Sequence, residues 1–166
     1  MSAEMSRLFR HLTNGVYVIG VADGEHCNAF TAAWVMQVSF QPLLLALSVN
    51  PGHHSYPLLR TGRAFAVSVL SSDQLDLARH FGTQSGRDID KLAEVTWRAG
   101  ATGAPILTAA AAYFDCQVVG DTEAGDHRLV IGRVVGGAVL APESRPLIYS
   151  DMGNLDGSTT LFPDAF

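Results

Sequence analysis

Val16-Tyr17-Val18-Ile19-Gly20-Val21-Ala22-Asp23-Gly24-Glu25-His26-Cys27-Asn28-Ala29-Phe30-Thr31 reads as two strands and the turn between them. Residues 16–21 are β-branched, aromatic or small, the composition that suits a pleated, half-buried surface. Asp23-Gly24 is a strong turn signal, because both residues tolerate the backbone angles of a tight hairpin. Residues 27–31 then return beside residues 16–21. The first two strands are therefore antiparallel. Upstream, Met5, Leu8, Phe9 and Leu12 share one helical face, which predicts a helix over residues 3–13 stopped by Asn14-Gly15.

Downstream, residues 32–39 read as irregular. Leu43 to Val49 is apolar at nearly every position, the pattern of a strand buried on both faces, and Asn50-Pro51-Gly52 ends it. A short helix is expected over 55–61 and a strand over 65–70. Ser71-Ser72-Asp73-Gln74 has the form of a capping box opening a helix to Phe81. Residues 82–86 read as a loop, 89–95 as a short helix, and 99–105 as a small-residue loop leading to Ile106-Leu107. Residues 110–119 read as a long strand with a helix as the alternative, and 120–126 as a polar turn. Residues 129–140 form a strand with a bulge or bend at Gly136-Gly137, and Leu147-Ile148-Tyr149 a last short strand. A polar tail from about residue 150 ends in Leu161, Phe162 and Phe166, which need a surface to land on, such as another subunit. The order lacks regular βαβ alternation. It predicts a mostly β, antiparallel barrel with short peripheral helices, built as a single domain over 1–166.

Composition narrows the functions available. The chain has 166 residues, 48% hydrophobic and only 16% charged, with a net charge of −5. That much apolar surface excludes a disordered chain, and the scarcity of charge favours an oligomer that hides part of its surface. An acidic chain whose only lysine is Lys91 offers no basic footprint for nucleic acid. The apolar run at 43–49 is far shorter than the ~20 residues of a membrane helix, and no signal peptide is visible. A cytoplasmic protein is expected, with Cys27 and Cys116 as free thiols. No metal site is expected: adjacent His53 and His54 would point apart on an extended chain, and no zinc or metalloprotease spacing occurs. Dinucleotide, P-loop and nucleophile-elbow motifs are absent as well.

The informative chemistry lies in Asn28-Ala29-Phe30-Thr31-Ala32-Ala33-Trp34-Val35-Met36-Gln37-Val38-Ser39. Small side chains let a planar ligand approach the backbone, and hydroxyls at Thr31 and Ser39 suit phosphate oxygens. A strand-to-loop transition with Trp34 in the core is the competing reading of the same residues.

Taken with other segments in order, this stretch resembles the flavin reductase-like family of flavin-binding split barrels. Those segments are Phe9 to Ile19, the continuation to Pro42, Leu44 to Asn50, and Phe65-Ala66-Val67-Ser68-Val69-Leu70. Gly103-Ala104-Pro105-Ile106-Leu107, Tyr113-Phe114-Asp115-Cys116 and Gly125-Asp126-His127 complete the order. The form Ala-Ala-Trp-Val-x-Gln-Val-Ser also resembles the reductase domains fused to flavodiiron proteins.

The resemblance implies a homodimer that binds FMN, or alternatively FAD, in a groove at the subunit interface, with NADH or NADPH as co-substrate. Thr31, Ala32, Ala33 and Trp34 would line the ring system and ribityl chain. Gln37, Val38 and Ser39 would continue that wall, Ser39 as a phosphate ligand. Ser48, Val49 and Asn50 would form the next edge, and the loop with His54 and Ser55 would meet the phosphate or pyrophosphate. Phe81 and Gly82 would end a helix near the groove. Asp126 and His127 would line the nicotinamide pocket, and no side chain would be catalytic in the covalent or acid–base sense. An exposed turn competes with this reading at His54 and Ser55, core packing at Phe81, and an ordinary surface position at His127. The implied activity is NAD(P)H-dependent flavin reduction, supplying reduced flavin or electrons to an oxygenase or acceptor protein. The alternatives are a flavin electron carrier reduced by a protein donor, and a split barrel that binds another ligand or none.

Overall fold

The computed structural model describes residues 2–164. The 16–31 stretch forms β1 (Tyr17–Ala22) and β2 (Cys27–Ala32), antiparallel in the register Tyr17 opposite Ala32. The turn is fastened by the Asp23 carboxylate, which accepts the backbone N–H groups of Glu25 and His26. The remaining strands are β3 (Val35–Ser39), β4 (Leu44–Val49), β5 (Ala64–Val69), β6 (Trp97–Ala99), β7 (Pro105–Leu107), β8 (Ala112–Ala124) and β9 (His127–Val139). Seven of them make one antiparallel sheet in the order β2-β1-β5-β8-β9-β4-β3, while β6 and β7 pair separately. The sheet curls around a core of Ile19, Phe30, Leu47, Phe65, Val67, Cys116 and Val130, drawn from six of its strands. Its end strands β2 and β3 follow one another in the chain and are not paired, which makes the architecture a split β-barrel.

Three helices sit at the periphery: α1 (Ser2–Phe9), α2 (Tyr56–Gly62) and α3 (Leu75–Thr83). Ala78 and Phe81 of α3 pack on Val18 and Ala29, which project from the outer face of β1 and β2. Side chains alternate along a strand, so this end of the sheet is covered on both faces. The Cys116 thiol lies in the interior, and burial pushes its pKa up to about 12. Both cysteines are free, as expected.

Several expectations are corrected. Helix α1 stops at Phe9, because the chain turns through residues 10–12, and Leu8, Phe9 and Leu12 remain exposed. Residues 35–39 are a strand, disguised in sequence because their outward positions are apolar and a bulge lies between Gln37 and Ser39. Residues 89–95 form turns, with the Asp90 carboxylate taking the Leu92 N–H, not a helix. The polar stretch 120–126 mostly extends β8; only Gly125 and Asp126 turn the chain. Its polarity reflects an arm with water on both sides. The bulge opposite Asp115 and Cys116 falls at Val135, just before the glycine pair. Residues 147–149 do not make a strand: Ile148 forms one isolated bridge with Gly15, the preceding Pro146 forms another with Ser71, and a 3-10 turn follows at Tyr149–Met152. The capping residues at 71–74 form half a capping box, in which the Gln74 side chain accepts the Ser71 N–H. In the tail, Phe162 stacks on Phe9 of the same chain at 5.4 Å, so part of the tail's apolar surface lands within the chain. Phe166 lies outside the described residues.

Candidate functional site

The bend from β2 into β3 brings small and aromatic side chains to the open edge of the barrel. Thr31, Ala32 and Ala33 are half-buried along a narrow cleft of about 70 Å³ shared with Gly82 and Tyr149. A Cβ at Gly82 would stand 3.2 Å from Thr31 Cβ, so α3 and β2 approach closely there. The Thr31 hydroxyl donates to the Ala78 carbonyl at 2.7 Å. It can therefore only accept from a ligand. Trp34 is 52% exposed, so it is not a core residue. Its carbonyl accepts the Ser48 N–H at 3.0 Å, which ties the bend to β4.

The tip of the β8–β9 hairpin meets this bend. The His127 ring lies 5.0 Å from the Trp34 ring, inclined at 55°. Asp126 holds His127 Nδ1 at 2.8 Å, and that bond keeps the Asp126 carboxyl below its ordinary range. The acceptor fixes the imidazole's orientation and leaves Nε2 as the free ring nitrogen. Trp34, Ser48, Asp126 and His127 share one wall of an apolar cavity of about 430 Å³, whose far side is built by α1 and the tail.

A second group gathers where β4 ends. Asn50 turns the chain by accepting the Gly52 N–H. Ser55 is fully buried, and its hydroxyl accepts from Asn28 Nδ2 at 2.9 Å. Ser55 is thus not an exposed turn residue. Gly86 is pressed against the same Asn28, where a Cβ would lie 2.4 Å from Nδ2. The His53 ring stacks on Phe30 at 4.7 Å while keeping solvent on one side. Loss of water around the ring, and then the charges of Lys91, His54 and Arg87, push its pKa down to about 4. A chain of net negative charge therefore collects cationic groups at one edge.

Lys91 is the member of this group that sequence reasoning missed. It is buried, donates to the Phe81 carbonyl at 3.1 Å, and is pushed down to about 8 by its burial. Its standing as the only lysine was the available signal. A buried ammonium is costly unless other interactions repay it.

The predicted site residues do not all converge. Thr31–Trp34, Ser48, Asp126 and His127 surround the bend, and Asn50, His54 and Ser55 lie at the adjoining loop. Val49 and Phe81 point into the cores, so only their backbones are available. Gln37, Val38 and Ser39 run the other way along β3, toward the Leu44 end of β4. Ser39 is thereby separated from Ser55 by the length of β4, roughly 17 Å at the usual strand rise. Among the described residues no group of three His, Cys, Asp or Glu side chains could hold a metal ion. No helix among them is long and apolar enough to cross a membrane.

A family described as "Flavin reductase like domain" matches residues 9–156. The high molecular weight rubredoxin of Moorella thermoacetica is 31% identical over 151 residues, covering 90% of this chain and 66% of that protein. Diflavin flavoprotein A 1 of Synechocystis is 28% identical over 150 residues, 90% of this chain but only 26% of its own length. The chain thus spans about a quarter to two thirds of the curated relatives it matches. Among solved structures, the Streptomyces globisporus C-1027 NADH:FAD oxidoreductase SgcE6 superposes with a TM-score of 0.80 at 30% identity, covering 87% of this chain and 86% of that one. A second structure of that protein is a complex with NAD and FAD fragments.

Proposed function

We propose, from the premise that this chain belongs to the flavin reductase-like family, that it is an NAD(P)H-dependent flavin reductase using FMN or FAD. The observation that carries the reading is the pairing of Trp34 with His127 beside the small-residue wall Thr31-Ala32-Ala33. The wall would offer a flavin one face of small side chains beside an aromatic ring; the cleft itself, about 70 Å³, is too narrow to enclose the ring system, so the flavin would lie along it rather than within it. The adjoining loop suits the phosphate end: Arg87 is the exposed cation beside it, and the buried Lys91 adds positive charge from behind, while Ser55 and Asn28 fix the loop's shape by bonding to each other.

When bound, the flavin supplies an acceptor at N5 for the hydride leaving nicotinamide C4. The protein contributes position. The wall at 31–34 would orient the ring, and the polar loop at 50–55 with Arg87 would hold the phosphate, Lys91 lending positive charge from behind. His127, fixed by Asp126, offers a flat face and one free nitrogen to the nicotinamide carboxamide. By holding both partners at one site, these residues would supply proximity, which replaces a bimolecular encounter.

The reading extends to a homodimer with the groove at its interface, which the apolar, unguarded β3 edge supports. A second reading, an electron carrier reduced by a protein donor, is favoured by the relatives that are longer redox proteins. Two substitutions test the site. Ala33→Trp fills the wall and is expected to abolish flavin binding in a folded protein. Replacing Asp126 and His127 by Ala is expected to raise the KM for NAD(P)H at least tenfold while flavin affinity changes less than twofold. Flavin titration and steady-state kinetics measure both. Unchanged flavin affinity in A33W contradicts the wall, and unchanged kinetics in the double variant remove the nicotinamide assignment.

A further inference from the structure

The site depends on an arm that the main sheet does not fully support. The last register pair between β4 and β9 is Val49 with Arg128. Beyond it, His127 pairs only with Ala124, and Gly125-Asp126 turns the chain. The tip carrying His127 is therefore a two-stranded ribbon, a form that is marginally stable by itself. A bulge at Val119 further loosens the arm's root from the regular ladder.

Three side chains lie across that root. Asp121 Oδ2 accepts the Tyr56 hydroxyl at 2.9 Å, and Asp121 Oδ1 accepts Arg128 Nε at 2.8 Å. Arg128 also reaches the exposed Glu123, 3.5 Å away on the opposite strand of the arm. Both carboxylate oxygens of Asp121 are thus engaged, one within the arm and one outside it. Tyr56 is buried in the barrel core, and it directly follows Ser55 at the start of α2. The contact spans 65 positions of chain. It links the polar loop at 50–55 to the ribbon that presents His127.

We propose that Tyr56, Asp121 and Arg128 form a brace that positions His127 against Trp34, and so couples the cofactor loop to the nicotinamide pocket. These are positioning residues, and their role in turnover rests on the reductase reading above. A carboxylate shared by a phenol and a guanidinium is held by charge-assisted bonds, so its loss frees the arm to swing. Tyr56 also packs in the core cluster on which Ala32 of the flavin wall rests, and Tyr56→Phe keeps that packing while removing the hydroxyl.

Asp121→Asn places an amide NH₂ against one of two donors, and Tyr56→Phe removes the link to the core with little change of volume. In each variant the KM for NAD(P)H is expected to rise about five- to tenfold, with kcat and FMN affinity within about twofold of the parent. The proton NMR cross-peak between the Trp34 indole and the His127 ring is expected in the parent and lost in both variants. Retention of that cross-peak in the folded variants overturns the brace. So does a fall in FMN affinity in step with the rise in KM, which would mark a general structural role. If the parent lacks NAD(P)H turnover, the reductase reading fails, while the cross-peak still decides for or against the brace. Tyr56→Phe keeps the test open if Asp121→Asn does not fold.

Discussion

At the β2–β1 end of the sheet, the outward-pointing Val18 and Ala29 lie under Ala78 and Phe81 of α3. At the β4–β3 end, the outward Met36 is 64% exposed, and Val38, Phe40 and Leu43 beside it are exposed as well. Both ends carry outward apolar side chains, yet among the described residues only the first is covered by a helix of the same chain. Edge strands with exposed apolar side chains and open backbone groups invite pairing, and natural proteins rarely leave them so. The first end is built for stability, and the open second end is where the proposed dimer would form. The candidate site sits at the junction, where β2 bends into β3.

The comparison can be broken most forcefully in the core. Phe81 is fully buried over the β2–β1 end, and Phe81→Ala is expected to cost about 3–5 kcal/mol in urea unfolding. Met36→Ala is expected to cost less than about 0.5 kcal/mol under conditions that keep the protein monomeric. Equal costs would mean that the two ends are not energetically distinct. A sharper probe is Met36→Lys, which puts charge on the open edge. Sedimentation velocity is expected to show a dimer for the parent and a monomer for the variant, with unchanged far-UV circular dichroism. A variant that remains dimeric places the interface elsewhere.

A more local effect concerns Lys91. Burial lowers its pKa from 10.5 to about 8, so the fold disfavours its charge. The unfolded chain then holds the proton more tightly, and stability rises with pH between about 8 and 10.5. Lys91→Met is expected to remove that rise and to stabilise the ligand-free protein by about 1–2 kcal/mol at neutral pH. The same variant is expected to lose at least tenfold in FMN affinity while binding riboflavin, which lacks the phosphate, as the parent does. Chemical unfolding and flavin titration check the two halves. An unaltered FMN affinity would make Lys91 a structural residue that caps the α3 carbonyl at Phe81.

How much of this was legible in the sequence depends on range. The hairpin at 16–31 was readable because Asp23-Gly24 and the β-branched flanks are local signals. The buried run at 43–49 was readable from composition alone. Strand β3 was not, since its apolar outward positions Met36 and Val38 erase the alternation that marks a half-exposed strand. The arm at 120–126 looked like a loop because a ribbon in water on both sides needs no apolar pattern. In the site, the small wall and Asp126-His127 emerged through resemblance to a family. Lys91 and the Tyr56–Asp121–Arg128 contacts did not, because long-range partners leave no spacing to recognise.

The most direct test of the account mixes the purified protein with FMN, and separately with FAD, then adds NADH or NADPH and follows loss of nicotinamide absorbance. Rapid loss is expected with at least one nucleotide, dependent on flavin and abolished in Ala33→Trp. Flavin binding without any loss from either nucleotide would contradict the reductase and leave the electron carrier. A protein that binds neither flavin would contradict the assignment of the site itself.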